Sequence, residues 1–221
     1  MDGLHRPHLV LMAKPPRAGQ VKTRLSADIG AASAVQFYRS AVTRLLRRLG
    51  DDPRWRTVLA VNASPTERFA AWPSKLPRMA QGQGSLGDRL NHVLRALPPG
   101  PAVIIGTDTP HLEPADIAQA FHTLAQHDAV FGPAEDGGYW LIGMRRLRDA
   151  PSLFEGVRWS TAQALADTLA SLPPHFTRAM LHQKTDVDTG AELRALVARW
   201  GDLRFGPWRP TAAAPAIDER S

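Results

Sequence analysis

The sequence predicts an α/β protein with a mostly parallel central sheet and helices on both faces. Short apolar runs alternate with longer stretches of helical period along most of the 221 residues. Gly, Pro and capping residues punctuate the junctions between them. The run Ala102-Val103-Ile104-Ile105 is apolar throughout, as a strand buried on both faces must be.

The first predicted strand is the apolar segment 8–13, which runs into a loop holding Lys14, Arg17, Lys22 and Arg24. A helix follows over 31–49, its apolar side made of Ala34, Val35, Tyr38, Val42, Leu45, Leu46 and Leu49. Next come a strand at 57–61 and a short helix that Ser64-Pro65 would start. A short strand at 78–80 meets the glycine-rich stretch 81–87, and a helix continues to Leu97. The strand at 102–105 ends at Gly106-Thr107-Asp108, Pro114 opens a helix to about Gln126, and 129–131 is a further strand. After Gly137-Gly138, residues 139–144 read as a strand. Ser160 with Gln163, and Thr189 with Glu192, have capping-box spacing and are expected to start the last two helices, the second ending near Trp200. One domain is expected over 1–205, followed by a flexible Pro- and Ala-rich tail at 206–221.

Composition excludes several chemistries. Cysteine is absent, so disulfides, thiolate nucleophiles and Cys-ligated metals are excluded. The longest early apolar run is about five residues, too short for a signal-peptide core or a membrane span, so a cytoplasmic location is expected. No His-Glu-x-x-His or Gly-x-Ser-x-Gly pattern occurs. Residues 1–100 hold 16 Lys and Arg against 6 acids, whereas residues 101–221 hold 11 against 15. Arg39, Arg44, Arg47 and Arg48 lie on the polar side of the 31–49 helix with no interleaved aromatic residues, a solvated face and not a nucleic-acid surface.

Four constellations carry candidate chemistry. The cationic loop turns at Gly19 and places Lys22, Thr23 and Arg24 near a helix start, where cations and helix N–H groups can hold a di- or triphosphate. It is not a P-loop, because Pro16 and Val21 stand where that motif needs glycine. At the end of a buried strand, Asp108 either caps the turn beside Pro110 or ligates a divalent ion. Asp186 and Asp188 are two apart and share one side of an extended segment, with Asp188 the preferred second metal ligand. In Glu135-Asp136-Gly137-Gly138-Tyr139-Trp140, a carboxylate suits a general base and an aromatic face suits a sugar or flat ring, with an exposed hairpin turn as the other reading. Gly84 in its glycine-rich stretch, with Asp88 or Arg89, could contact a base or ribose, although a plain connector also accounts for that stretch. Trp159, Ser160 and Thr161 are assigned to the acceptor side, with helix capping as the alternative for Ser160.

The stretches 13–25, 106–110, 132–139, 159–161 and 186–189 together resemble a bacterial family of nucleotide-diphospho-sugar-transferase-like proteins, the radical-SAM/selenodomain-associated transferases of the GT-A superfamily. The resemblance extends over residues 8–200. More distantly, the chain is similar to the guanylyltransferases of molybdenum-cofactor and coenzyme F420 biosynthesis. These likenesses imply a Rossmann-like GT-A fold, with nucleotide bound by the amino-terminal half and acceptor by the carboxyl half. They further imply that Lys14, Lys22 and Arg24 hold phosphates, Asp108 and Asp188 hold Mg²⁺ or Mn²⁺, and Asp136 serves the acceptor. Thr107-Asp108-Thr109 stands where many glycosyltransferases have Asp-x-Asp.

The expected activity is transfer of a glycosyl group from a nucleotide-sugar to a small-molecule acceptor, with Asp136 or Glu135 as base. Nucleotidyl transfer with release of pyrophosphate is the first alternative and a non-catalytic nucleotide-binding module the second. Neither a nucleic-acid partner nor a membrane span is expected.

Overall fold

Alternating side chains of the first strand enter two different cores, so the strand is covered on both faces. In the computed structural model, which describes residues 6–67, 72–73, 75–146 and 152–199, β1 (His8–Ala13) sends Leu9, Leu11 and Ala13 to one face and Val10 to the other. The period-two alternation of a strand does this directly. The first face packs on α2 (Ala31–Leu49) through Val42, Leu45 and Leu49 and on α4 (Pro114–Leu124) through Ile117, Ala120 and Leu124. The second packs on α3 (Leu86–Ala96) through Leu90, Val93 and Leu94, and on Leu153, Phe154 and Leu172 around α5 (Ala164–Ala170). Each such side chain, taken fully out of water, contributes about 1.5–3 kcal/mol.

Among the described residues the sheet has seven strands, in the order β3-β2-β1-β4-β6-β5-β7. The others are β2 (Arg56–Val61), β3 (Arg78–Ala80), β4 (Ala102–Ile105), β5 (Ala129–Pro133), β6 (Tyr139–Met144) and β7 (Arg178–Met180). Four ladders are parallel; β6 alone runs antiparallel to both of its neighbours. The reversal brings Tyr139, at the start of β6, to the edge where β1, β4, β5 and β7 end. From β1 the chain steps outward through β2 and β3 and then returns to the other side of β1 with β4. The strand order therefore switches between β1 and β4, and the crevice beyond their carboxyl ends is where sheets of this class bind ligands.

The α2 expectation is met, and Phe37 and Ala41 join the buried side. Three expectations differ from the structure. A seven-residue helix, α1 (Thr23–Ile29), occupies the end of the expected cationic loop; among its residues Leu25 is buried, packed with Phe37, Val187, Leu193 and Leu196 beside α6 (Gly190–Arg199). Ser160 does not start a helix: its φ is +59°, and α5 begins at Ala164. The Leu165 N–H donates to the Gly137 carbonyl at 3.0 Å, so the neighbouring hairpin satisfies a donor of the first helical turn. After Ser64 there is a turn, and 68–71 lie outside the described residues, as do the 205 domain boundary and the tail. The Thr189/Glu192 box forms as expected: Glu192 Oε2 accepts from the Asp188 and Thr189 N–H groups at 2.7 Å, and the Glu192 N–H donates back to Thr189 Oγ1.

Candidate active site

The loop after β1 is fixed before its charges matter. Tyr38, on the buried side of α2, accepts a hydrogen bond from the Lys14 N–H at 2.8 Å and donates its own hydroxyl to the Lys14 carbonyl at 2.9 Å. Burial raises the Tyr38 pKa above its ordinary value, so the phenol stays neutral. Gln81 Nε2, at the end of β3, donates to the carbonyls of Ala13 and Ala60 and so ties that loop to β1 and β2.

From this frame Lys22 turns inward. Its backbone is left-handed (φ 48°, ψ 48°) immediately before α1, and its side chain is only 3% exposed. The ammonium donates to Asp108 Oδ1, to the Val187 carbonyl at 2.7 Å and to Asp188 Oδ1 at 2.9 Å. All three N–H donors of a lysine thereby have partners. Burial alone would lower the Lys22 pKa, but the charges of Asp108 and Asp188 outweigh it and the net shift is upward. Arg24, on the solvent side, contacts Asp188 Oδ2 at 3.1 Å and stays 69% exposed. The four charges sum formally to zero.

Asp186 follows a different course. It accepts from Thr109 Oγ1, and burial pushes its pKa up to about 7, reinforced by Asp108 and Asp136 and opposed by the Thr109 hydrogen bond and Lys22. At neutral pH it is a part-protonated acid next to an ionised pair.

A cavity of about 620 Å³ opens at this edge. Its lining includes Lys14, Lys22, Thr23, Arg24, Asp108 and Asp188, together with Tyr139, Trp159 and Ser160. Gly84 also lines it, with Leu86 and Arg89. Tyr139 meets Trp159 edge-on at 6.5 Å, and Trp159 meets Phe154 at 5.9 Å. Gly87 makes room for this cluster, since a Cβ there would lie 2.8 Å from Phe154 Cβ. The cavity thus joins residues from five loops and has the size of a small-ligand site.

Other expected residues lie outside the cavity lining. Gly19 (φ +74°) serves the turn of the cationic loop. Asp88 completes a capping box with Ser85, accepting from its N–H at 2.8 Å and from its Oγ at 2.7 Å. Thr161 Oγ1 donates to the Arg158 carbonyl and accepts from the Gln163 N–H. Glu135 accepts from Thr185 Oγ1 at 2.7 Å, and Asp136 Oδ1 accepts from the Gly138 N–H at 2.9 Å. Asp136 is nevertheless close enough to act on the charge of Asp186. Trp140, from the expected aromatic turn at 135–140, and Gln81, from the 81–87 stretch, also line the cavity, as does Tyr38, expected only on the apolar side of the 31–49 helix. Tyr38 carried a signal: a phenol on an otherwise apolar helix face needs a hydrogen-bond partner.

The donor set around the Lys22 ammonium consists of two carboxylate oxygens and a peptide carbonyl, all hard oxygen donors. Mg²⁺ and Mn²⁺ take such ligands, and Mg²⁺ commonly needs only one or two carboxylates when phosphates and water complete its shell. The residues fit a divalent cation, and the ammonium is the positive charge that stands between them. No group of three or more His, Asp or Glu suited to a metal occurs among the described residues.

Residues 45–161 match the family described as an uncharacterized protein conserved in bacteria (DUF2064). The chain belongs to this family. In this DUF2064 protein the matched span includes Asp108, Asp136 and Trp159, whereas Lys22 and Asp188 lie to either side of it. No curated protein matches the chain. Among solved structures it is similar to a protein of Desulfovibrio desulfuricans G20 with the provisional assignment nucleotide-diphospho-sugar transferase, at 28% identity and a TM-score of 0.81, over 89% of this chain and 88% of that one. It also shares a fold with 4-diphosphocytidyl-2C-methyl-D-erythritol synthase from Anaerococcus prevotii DSM 20548 (9% identity, TM-score 0.58, 88% and 96% covered). HddC from Yersinia pseudotuberculosis is a further fold relative (11% identity, TM-score 0.53, 87% and 99% covered). The DUF2064 chain is thus an α/β protein of the expected GT-A-like class, and no helix among its described residues is long and apolar enough to cross a membrane.

Proposed function

We propose that this protein is a transferase that uses a nucleotide-activated donor and passes a glycosyl group to a small-molecule acceptor. The observation that carries the reading is the convergence of Lys22, Arg24, Asp108 and Asp188 at the switch point of the sheet, in a cavity that Tyr139 and Trp159 also line. The likeness to the Desulfovibrio desulfuricans protein supports it.

Electrostatics then constrain how the site works. A diphosphate carries two or more negative charges, and the Lys22–Arg24–Asp108–Asp188 cluster has no net charge to offset them. A divalent cation held by Asp108 and Asp188 would supply the missing charge and stabilise the departing diphosphate. Arg24 and Lys14, both exposed and both lining the cavity, can hold phosphate oxygens. Tyr139 and Trp159 offer apolar faces against which an acceptor can be oriented. Asp136, fixed by its own turn, takes the proton of the acceptor hydroxyl in this scheme.

The test is a product assay on a panel of nucleotide-sugars with Mn²⁺. Release of a nucleoside diphosphate supports the reading. Release of pyrophosphate from a nucleoside triphosphate would replace glycosyl by nucleotidyl transfer at the same site. Absence of a thermal shift with any nucleotide would overturn both.

A further inference from the structure

We propose that Lys22 is an internal competitor for the divalent cation: its ammonium occupies the seat between Asp108 and Asp188, and the metal enters only as that side chain swings out toward the cavity. The inference rests on the proposed Asp108–Asp188 metal pair and adds to it a rule for loading.

The seat is built for one cation at a time. Asp108 Oδ1, Asp188 Oδ1 and the Val187 carbonyl all face the same nitrogen. The Val187 N–H is itself held by the Asp108 carbonyl at 2.9 Å, which locks the two acid-bearing segments together. A second positive charge placed among these oxygens would sit within a few ångströms of the first, a repulsion that partly buried surroundings make severe. One of the two must leave. Asp108 is tied through its carbonyl to the Val187 N–H, and Val187 is buried with Leu25, Phe37 and Leu193, whereas lysine has a flexible four-carbon stem. Lys22 also has the means to leave. It is among the residues that line the cavity, into which its flexible stem can carry the head. Its left-handed backbone is uncommon for a residue with a side chain.

The displaced ammonium remains on the cavity wall next to Arg24, where a donor diphosphate would lie. One lysine then has two successive partners, the acids in the free protein and phosphate oxygens in the loaded one. Metal and diphosphate would favour each other's binding, because each relieves the other of competition with Lys22.

The experiment is a titration of Mn²⁺ alone, followed by the electron paramagnetic resonance signal of the free ion, on the full chain and on Lys22→Met. The expected result is weak binding by the natural chain and binding at least about fivefold tighter by Lys22→Met, the lower end of ordinary site-to-site coupling. Asp108→Asn placed in the Lys22→Met background should abolish the gain. Equal or weaker affinity in Lys22→Met overturns the competition while leaving the metal pair standing. Binding by neither protein overturns the metal pair as well.

Because Lys22→Met removes the counter-ion of two acids and can fail to fold, a second measurement uses the natural chain. Lys22 should resist an amine-acylating reagent in metal-free buffer and become labelled at saturating Mn²⁺, as read by peptide mass spectrometry. Labelling of Lys22 that does not rise with Mn²⁺ overturns the proposal.

Discussion

Lys22 Nζ lies 2.9 Å from Asp188 Oδ1, across 166 positions of sequence, and the same nitrogen reaches Asp108 across 86. The contact joins the loop after β1 to the segment that enters α6, so the two ends of the described chain meet over the carboxyl end of β4. Removing either partner leaves the other as a poorly compensated charge. The site and the fold are therefore held by overlapping sets of residues.

Arg24 separates these roles. Its guanidinium is largely exposed and contacts Asp188 from the solvent side, so Arg24→Gln should leave the melting temperature of the free protein nearly unchanged. The stabilisation conferred by a nucleoside diphosphate with Mn²⁺ should fall. At a hundredfold excess of ligand over Kd, a tenfold loss of affinity reduces it from about 2.7 to about 1.4 kcal/mol. A thermal shift equal to that of the natural chain would remove Arg24 from the donor site.

Asp136→Asn isolates proton transfer from architecture. Asparagine keeps an oxygen to accept the Gly138 N–H and is at home in the same turn, so the hairpin should persist. Loss of a general base lowers kcat by about 10²- to 10⁴-fold, with nucleotide binding preserved. If kcat moves by less than a factor of about three, the base lies elsewhere.

Gly137→Ala tests the hairpin itself. Its φ is +83°, and a Cβ there would stand 2.2 Å from the Ala162 carbonyl oxygen, a backbone atom that cannot rotate away. Backbone strain and displacement of the 158–162 loop should together cost about 2–4 kcal/mol. Urea denaturation would measure this. A substitution that costs nothing would mean the hairpin is not docked on that loop.

Asp186 governs a pH dependence of stability. Its folded pKa of about 7 exceeds the 3.8 of an exposed aspartate, so between those values the folded chain keeps a proton that the unfolded chain releases. Stability in metal-free buffer should therefore fall as pH rises from about 4 to about 7, with the full penalty present above 7. Asp186→Asn, which can still accept from Thr109, should flatten this profile and raise stability at pH 8 by about 1–3 kcal/mol. Urea melts at pH 4, 6 and 8 would show it; parallel profiles for the two proteins would refute it.

Much of the fold was legible locally. The 8–13 strand, the 31–49 helix and the Thr189/Glu192 box follow from period and capping chemistry, which act between near neighbours. α1 was not legible, since in seven residues it buries Leu25 and has no capping side chain at its start. Nor was β7, a three-residue edge strand paired to β5 alone. Ser160 and Gln163 have the spacing of a cap, yet the turn at Gly137 claims the helix start. A local signal lost there to a tertiary hydrogen bond.

The site divides in the same way. By itself the sequence determined which residues carry charge, that Lys22 and Arg24 follow the first strand, and that Asp108 comes shortly after another. Those properties depend on composition and on neighbours three or four positions away. Only the tertiary structure decided that Lys22 turns inward to neutralise Asp108 and Asp188, that Asp186 is buried and raised in pKa, and that Asp88 caps a helix outside the cavity lining. Coulombic pairing and desolvation depend on distance and burial in space, and neither quantity exists until β1, β4 and the segment before α6 have packed together.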